Sequence, residues 1–202
     1  MQNAETFRLF VAVPLPEPVK DEMEKVQSEL RRALPDDCVR WTRRGQFHLT
    51  LRFLGDVDAA RLDALKAALQ LACGAFPAIR LQSERIGFFP HLRFPKVIWA
   101  WVHDAAGQLP KLQSAIVSAV REFTREAAEG AFTGHVTLGR CQRIKRPQAE
   151  ILAALAHGMT ERRFGEWTAE NVELIRSELL PGGPRYTVLA AAALGSGRLD
   201  AS

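Results

Sequence analysis

The sequence predicts a layered fold of the α/β or α+β class. Three observations carry that expectation. Short runs rich in β-branched and aromatic residues alternate with longer stretches whose apolar residues recur every three or four positions. Clusters of Gly, Pro and Asp punctuate the joints between them. Two of the strand-like runs, "FHLTLRFLG" and "FTGHVTLGR", also spell the same frame, His-x-Thr-Leu, far apart in the chain.

In order, "RLFVAV" (Arg8 to Val13) reads as a buried strand ending at Pro14 and Pro16. Val19, Met23, Val26 and Leu30 form a helix stripe that predicts a helix over 17–33, stopped by Pro35. "VRW" is a short strand, "RRGQ" a turn, and Phe47 to Leu54 the first motif strand. Asp56 and Asp58 are candidate N-caps for a helix carried by Leu62, Leu65 and Leu69 and ending near Gly74. Residues 78–89 and 95–103 read as two strands around the loop "FFPHLRFP". Leu109, Leu112, Ile116, Val120 and Phe123 mark a long helix that tolerates Pro110 in its first turn and stops near Gly130, just before the second motif strand. A shorter helix covers about 148–157, and strands near 170–179 and 185–194 flank the turn "PGGP". A motif strand followed by a helix and further strands, twice over, suggests a diverged duplication.

Composition narrows the class. Hydrophobic residues at 47% and charged ones at 25% exclude a disordered or fibrous chain. A net charge of +4 with both signs mixed is a weak tilt towards anionic partners. Cys38, Cys73 and Cys141 are an odd set without ligand-like spacing, which fits reduced thiols in a reducing compartment. There is no basic leader before an apolar core and no apolar run of membrane-spanning length, so a cytoplasmic protein is expected.

The repeated motif carries the chemistry. In a strand, residues two apart share a face, so His48 and Thr50 point one way while Leu49 and Leu51 point to the core, and His135 and Thr137 behave likewise against Val136 and Leu138. A lone strand histidine is usually packed or at the surface; a pair in matched contexts points to function. Two imidazoles, one neutral and one charged, can take a proton from an attacking oxygen and give one to a leaving oxygen, each transfer contributing about 10²–10⁴ in rate. Two hydroxyls can donate to phosphate oxygens where charge grows. A zinc site is the rival, but threonine is a poor ligand and no cysteine or carboxylate stands at ligand spacing. His103 and His157 read as surface or strand-end residues and His91 as a loop residue.

On these residues the chain resembles the 2H phosphoesterase superfamily and, within it, the RNA 2′,3′-cyclic phosphodiesterases, also called 2′-5′ RNA ligases. The resemblance runs through "RLFVAVPLP", "VRWTRRGQFHLTLRFLGDV", "GFFPHLRFPKVIWAWV", "FTGHVTLGR" and "VELIRSELLPGGPRYTVL". It implies one bilobal α+β domain over 1–202, with two antiparallel sheets, helices on their outer faces and a central cleft. It also implies hydrolysis of a terminal 2′,3′-cyclic phosphate of RNA to a 2′-phosphomonoester without metal or other cofactor. In that reading His135 is the proton acceptor that activates water, His48 the proton donor to the departing 3′ oxygen, and Thr50 and Thr137 hold the phosphate. The partner is RNA or a nucleotide bearing the cyclic phosphate, the enzyme acts as a monomer, and no membrane is involved. The same site serves a 2′-5′ ligase or a 2′-5′ oligonucleotide phosphodiesterase, and a silent RNA-end binding module is the non-enzymatic alternative.

Arg140 matches an arginine that members place after the second motif, although strict alternation turns it off the face of His135 and Thr137; Gly139 offers a kink that restores it. Alternation instead puts Arg52 on the face of His48 and Thr50, where it is a candidate for the RNA backbone. Gly134 stands where members often carry proline, which predicts a looser approach to His135. Among Phe88, Phe89 and Trp99, most are expected in the core; Phe89, beside Pro90 at a loop edge, is the candidate to stack on a base.

Overall fold

β1 (Thr6–Pro14) is apolar on both faces, and the structure buries both. Leu9, Val11 and Val13 enter the main core, while Phe10 and Ala12 form a second, small cluster with Ile175 and Tyr186 on the opposite face. The structure, a computed structural model, describes residues 5–127, 130–181 and 183–195. Gly182 of the "PGGP" turn and the first four residues lie outside these.

After β1 come α1 (Glu17–Arg32), β2 (Val39–Trp41), β3 (His48–Asp58), α2 (Leu62–Gly74), β4 (Ile79–Phe89), β5 (Val97–His103), α3 (Gln108–Ala119), β6 (His135–Cys141), α4 (Arg146–Gly158), β7 (Arg163–Ala169), β8 (Asn171–Leu180) and β9 (Gly183–Ala193). The strands form a curled antiparallel sheet in the order β7-β4-β5-β6-β3-β1-β8-β9, with β2 pairing β6. Its two halves, β7-β4-β5-β6 and β3-β1-β8-β9, join at one bridge, Leu49 opposite Val136. This is the α+β class expected, with the two sheets that the resemblance implied joined into one by that bridge. α1 and α4 pack on the first half, α2 and α3 on the second, all burying their stripes against the main core. Among the described residues no helix is long and apolar enough to cross a membrane.

The halves repeat to the residue at their motif strands. β1 meets β3 through Phe10 and Phe53, Val11 and Arg52, Ala12 and Thr50, Val13 and Leu49, Pro14 and His48. β5 meets β6 through Val97 and Arg140, Ile98 and Gly139, Trp99 and Thr137, Ala100 and Val136, Trp101 and His135. Each motif strand carries a bulge at the same place, at Leu51 and at Leu138. The matching register supports a duplication.

Three element readings differ from the structure. β7 is absent from the sequence reading because Gly165, at φ 140°, accompanies a register shift against β4 and breaks the alternation of Phe164, Trp167 and Ala169. α3 ends at Ala119, well short of Gly130; Val120 and Phe123 extend its apolar stripe through a 3₁₀ turn, which keeps both buried. Of the two candidate caps, Asp58 accepts a bond from the Ala60 amide, whereas Asp56 lies within β3. All three cysteines are free thiols, and burial pushes Cys73 and Cys141 up to about 11.

Candidate active site

The bridge between Leu49 and Val136 decides the geometry. One residue either way sets His48 opposite Thr137 and Thr50 opposite His135, all four on the face away from the buried Leu49 and Val136. The two histidines are thus diagonal neighbours across an antiparallel pair, about 7–8 Å apart at the backbone, a gap that a phosphate can fill. All four residues line one cleft of about 400 Å³, together with Arg40, Arg43, Gln46, Phe89, Arg140 and Tyr186.

Both imidazoles are held the same way. His48 Nδ1 donates to the Gln46 carbonyl at 2.7 Å, and His135 Nδ1 to that of Thr133 at 2.8 Å, each two residues back. The bond fixes the Nδ1–H form of a neutral ring and makes Nε2 its basic nitrogen. Aromatic rings wall both: Phe10 at 4.8 Å and Tyr186 at 5.4 Å around His48, Phe89 at 5.0 Å and Trp99 at 5.9 Å around His135. Burial among these groups, with smaller repulsion from His135 and Arg140, lowers the His48 pKa to about 4 against the pull of its carbonyl partner. Near neutral pH that ring is uncharged.

The bulges decide where both arginines point, and only the Arg52 reading is corrected. A bulge places one extra residue in a strand and shifts the alternation beyond it. At Leu138 it brings Arg140 back onto the histidine face, into the cleft, opposite Arg40 of β2. Gly139 is needed there because a Cβ would lie 2.6 Å from the Val39 side chain. At Leu51 the same shift turns Arg52 away, to donate to the carbonyls of Ala127 (2.8 Å) and Glu126 (2.6 Å), and raises Phe53 onto the site face instead. Arg52 is a buried structural cation, not a backbone contact for RNA.

Two glutamines that the sequence reading missed hold these bulges. Gln27 of α1, 7% exposed, donates to Leu138 O at 2.7 Å and Thr42 O at 2.8 Å. Its counterpart on α3, Gln113, donates to Leu51 O at 3.3 Å. The signal for Gln27 was its place in the stripe between Met23 and Leu30, where a polar residue is buried and must find partners. Tyr186, the only tyrosine, was missed because β9 reaches the site through topology alone.

Gly134 also differs from its reading. A Cβ there would lie 2.3 Å from the Val102 carbonyl, and the Gly134 carbonyl accepts from the Val102 amide at 2.9 Å, so the approach to His135 is pinned against β5. Phe89 lines the cleft, stacked on Trp99 at 4.8 Å. His103 ends β5 stacked on Trp101, His157 is in the last turn of α4, and His91 Nδ1 accepts from the Phe94 amide. Among the described residues the cleft lining contains no Asp or Glu, and no group of three or more His, Cys, Asp or Glu could hold a metal ion.

Two His-x-Thr strands of one sheet, facing a basic cleft, define a phosphoesterase of the two-histidine class. Comparison with known proteins agrees. The LigT-like phosphoesterase model matches residues 13–99, which include the first motif. A curated RNA 2′,3′-cyclic phosphodiesterase of Thermus thermophilus is 35% identical over 190 residues, spanning 90% of this chain and 87% of its own; one of Methanocaldococcus jannaschii is 27% identical over 188 residues, spanning 90% and 98%. A crystal structure of a Thermus thermophilus protein superposes with a TM-score of 0.75 at 29% identity, covering 95% of this chain and 99% of that one. E. coli LigT complexed with NADP+ gives 0.69 at 25%, covering 94% and 99%. The chain belongs to the LigT-like family of RNA 2′,3′-cyclic phosphodiesterases.

Proposed function

We propose that the protein hydrolyses the terminal 2′,3′-cyclic phosphate of RNA to a 2′-phosphomonoester, without a metal ion. The observation that carries this is the diagonal pair of carbonyl-anchored imidazoles on adjoining strands of one cleft. The phosphate lies between them, its non-bridging oxygens taking hydrogen bonds from Thr50 and Thr137 and the charge of Arg140. Water attacks phosphorus as His135 Nε2 removes its proton. The P–O3′ bond breaks, and His48 Nε2–H protonates the departing 3′ oxygen. The Nδ1–H bond to a main-chain carbonyl stabilises the imidazolium that forms on His135 and orients the one that discharges on His48.

The donor role requires a proton on a ring that burial keeps neutral. The bound phosphodiester anion supplies the missing charge: it offsets the repulsion of Arg140 and His135 and favours the charged form. Phe89, edge-on to His135, offers a face for the terminal base. E. coli LigT is known in complex with NADP+, whose adenosine ribose bears a 2′-phosphomonoester, the group this reaction would leave. We place the enzyme in the cytoplasm, as a monomer.

The test is incubation of a nucleoside 2′,3′-cyclic phosphate with the protein in EDTA, with the product phosphate assigned by phosphorus NMR. The 2′-monophosphate is expected, and His48→Ala or His135→Ala should each lower the rate by about 10²–10⁴. A 3′-monophosphate, a requirement for added metal, or full activity in either variant would defeat the proposal. His48→Ala should lose less on a diester whose leaving group is 4-nitrophenolate, which needs no proton; equal losses would reassign the donor.

A further inference from the structure

The cleft does not end at Tyr186. It opens past that ring into a groove of about 510 Å³ that shares Arg40, Phe53, Arg140 and Tyr186 with it and adds Arg8, under the tip of the β8–β9 hairpin at Leu179 and Leu180. Arg8 shares a face of β1 with Phe10, which packs on His48, so an exposed guanidinium stands two residues beyond the site floor. Arg8, Arg40 and Arg140 all bear electrostatically on the Tyr186 hydroxyl and so converge on one region. Among the described residues these three make no ion pair. Arginines elsewhere, such as Arg44, Arg162 and Arg185, are each bonded to carboxylates.

The floor is aromatic and open: Phe53 is 43% exposed, and Leu179 and Leu180 stand exposed above it. Free cations beside exposed aromatic and apolar side chains form the surface that single-stranded nucleic acid takes, backbone on charge and base on ring. Among the described residues the opposite exit, past Thr50, Phe89, Gln113 and Phe132, holds one arginine, Arg52, and that one is committed to two carbonyls. The basic stretch is also short. Glu126 lines its far end, and Asp56 is the β3 partner of Arg8.

We propose that this groove binds the internucleotide phosphate one step 5′ of the reacting end, with Arg8 as its contact, so that the enzyme selects a strand terminus over a free nucleotide. The inference rests on the phosphodiesterase reading and adds a second phosphate site to it. Arg8 lies outside the reacting cleft; its contribution is to affinity for the strand.

The experiment compares kcat/KM for a mononucleoside 2′,3′-cyclic phosphate, a dinucleotide ending in that group, and the same dinucleotide with an uncharged methylphosphonate linkage. At low salt the charged dinucleotide should be favoured about tenfold over the mononucleoside, and the preference should fall to about threefold or less with the neutral linkage or with Arg8→Gln. The logarithmic salt dependence for the charged dinucleotide should be steeper by about 0.7 than for the mononucleoside, and Arg8→Gln should remove that increment. Equal turnover of all three substrates by the unaltered enzyme, or a preference that survives Arg8→Gln, overturns the inference while leaving the phosphodiesterase reading in place. Turnover of none of them overturns both.

Discussion

Replacing Gln27 by Met keeps the volume of a buried side chain and removes its two donated bonds. Leu138 O keeps one donor, the Thr42 amide at 3.0 Å, while Thr42 O loses the Gln27 amide. At about 0.5–1.5 kcal/mol per net hydrogen bond, the variant should lose about 1–3 kcal/mol of stability. The functional loss is separate. Leu138 is the bulge residue that turns Arg140 into the cleft, and a freed bulge lets that guanidinium wander by a fraction of an ångström to an ångström, which should cost about three- to thirtyfold in kcat/KM. The assay is a double-mutant cycle with Arg140→Ala on a nucleoside cyclic phosphate, run well below the melting point, with chemical denaturation alongside. Gln27→Met should reduce activity in the unaltered enzyme and add nothing in the Arg140→Ala background, yet lower stability in both. An equal fold-loss of activity in both backgrounds, or lost stability with unchanged activity, would refute the claim that Gln27 acts through Arg140.

Gly134→Ala forces a methyl against the Val102 carbonyl and should cost about 1–3 kcal/mol in denaturant titration; an unchanged midpoint would show that the β5–β6 contact yields freely. Gly87→Ala meets the Trp99 indole at 2.1 Å and should displace the Trp99–Phe89 stack, raising KM severalfold more than it lowers kcat; kinetics like those of the unaltered enzyme would remove Phe89 from base binding. Because the folded-state pKa of His48, about 4, lies below its unfolded value near 6.5, the unfolded chain binds more protons between those pH values, and stability should fall by about 3 kcal/mol as pH drops from 6.5 to 4. His48→Gln should flatten that slope in pH-dependent unfolding; an identical slope in the variant would place the titration elsewhere.

Much of this fold was legible because period and punctuation are local. The stripes of α1, α2 and α4, the turn before β3 and both His-x-Thr frames stand in the sequence as they stand in the structure. What stayed hidden depended on a partner strand. Alternation sends Arg52 into the site, and a bulge visible only from the register of β1 reverses it, whereas the matching bulge at Leu138 is the kink that Gly139 already offered Arg140. Gly165 hid β7 in the same way. Gln27 and Gln113 gain meaning only once α1 lies over β6 and α3 over β3. The pattern of Arg8, Arg40 and Tyr186 is likewise a product of topology, since β1, β2 and β9 converge from three parts of the chain.

The central claim is that one phosphate lies between two imidazoles, and histidine NMR reads it directly. Titrating a nucleoside 2′-monophosphate into the protein should shift the ring carbon–proton signals of His48 and His135 together, along a single saturation curve, while His157 on α4 stays still. Movement of one ring alone, or of the two with different dissociation constants, would contradict the account.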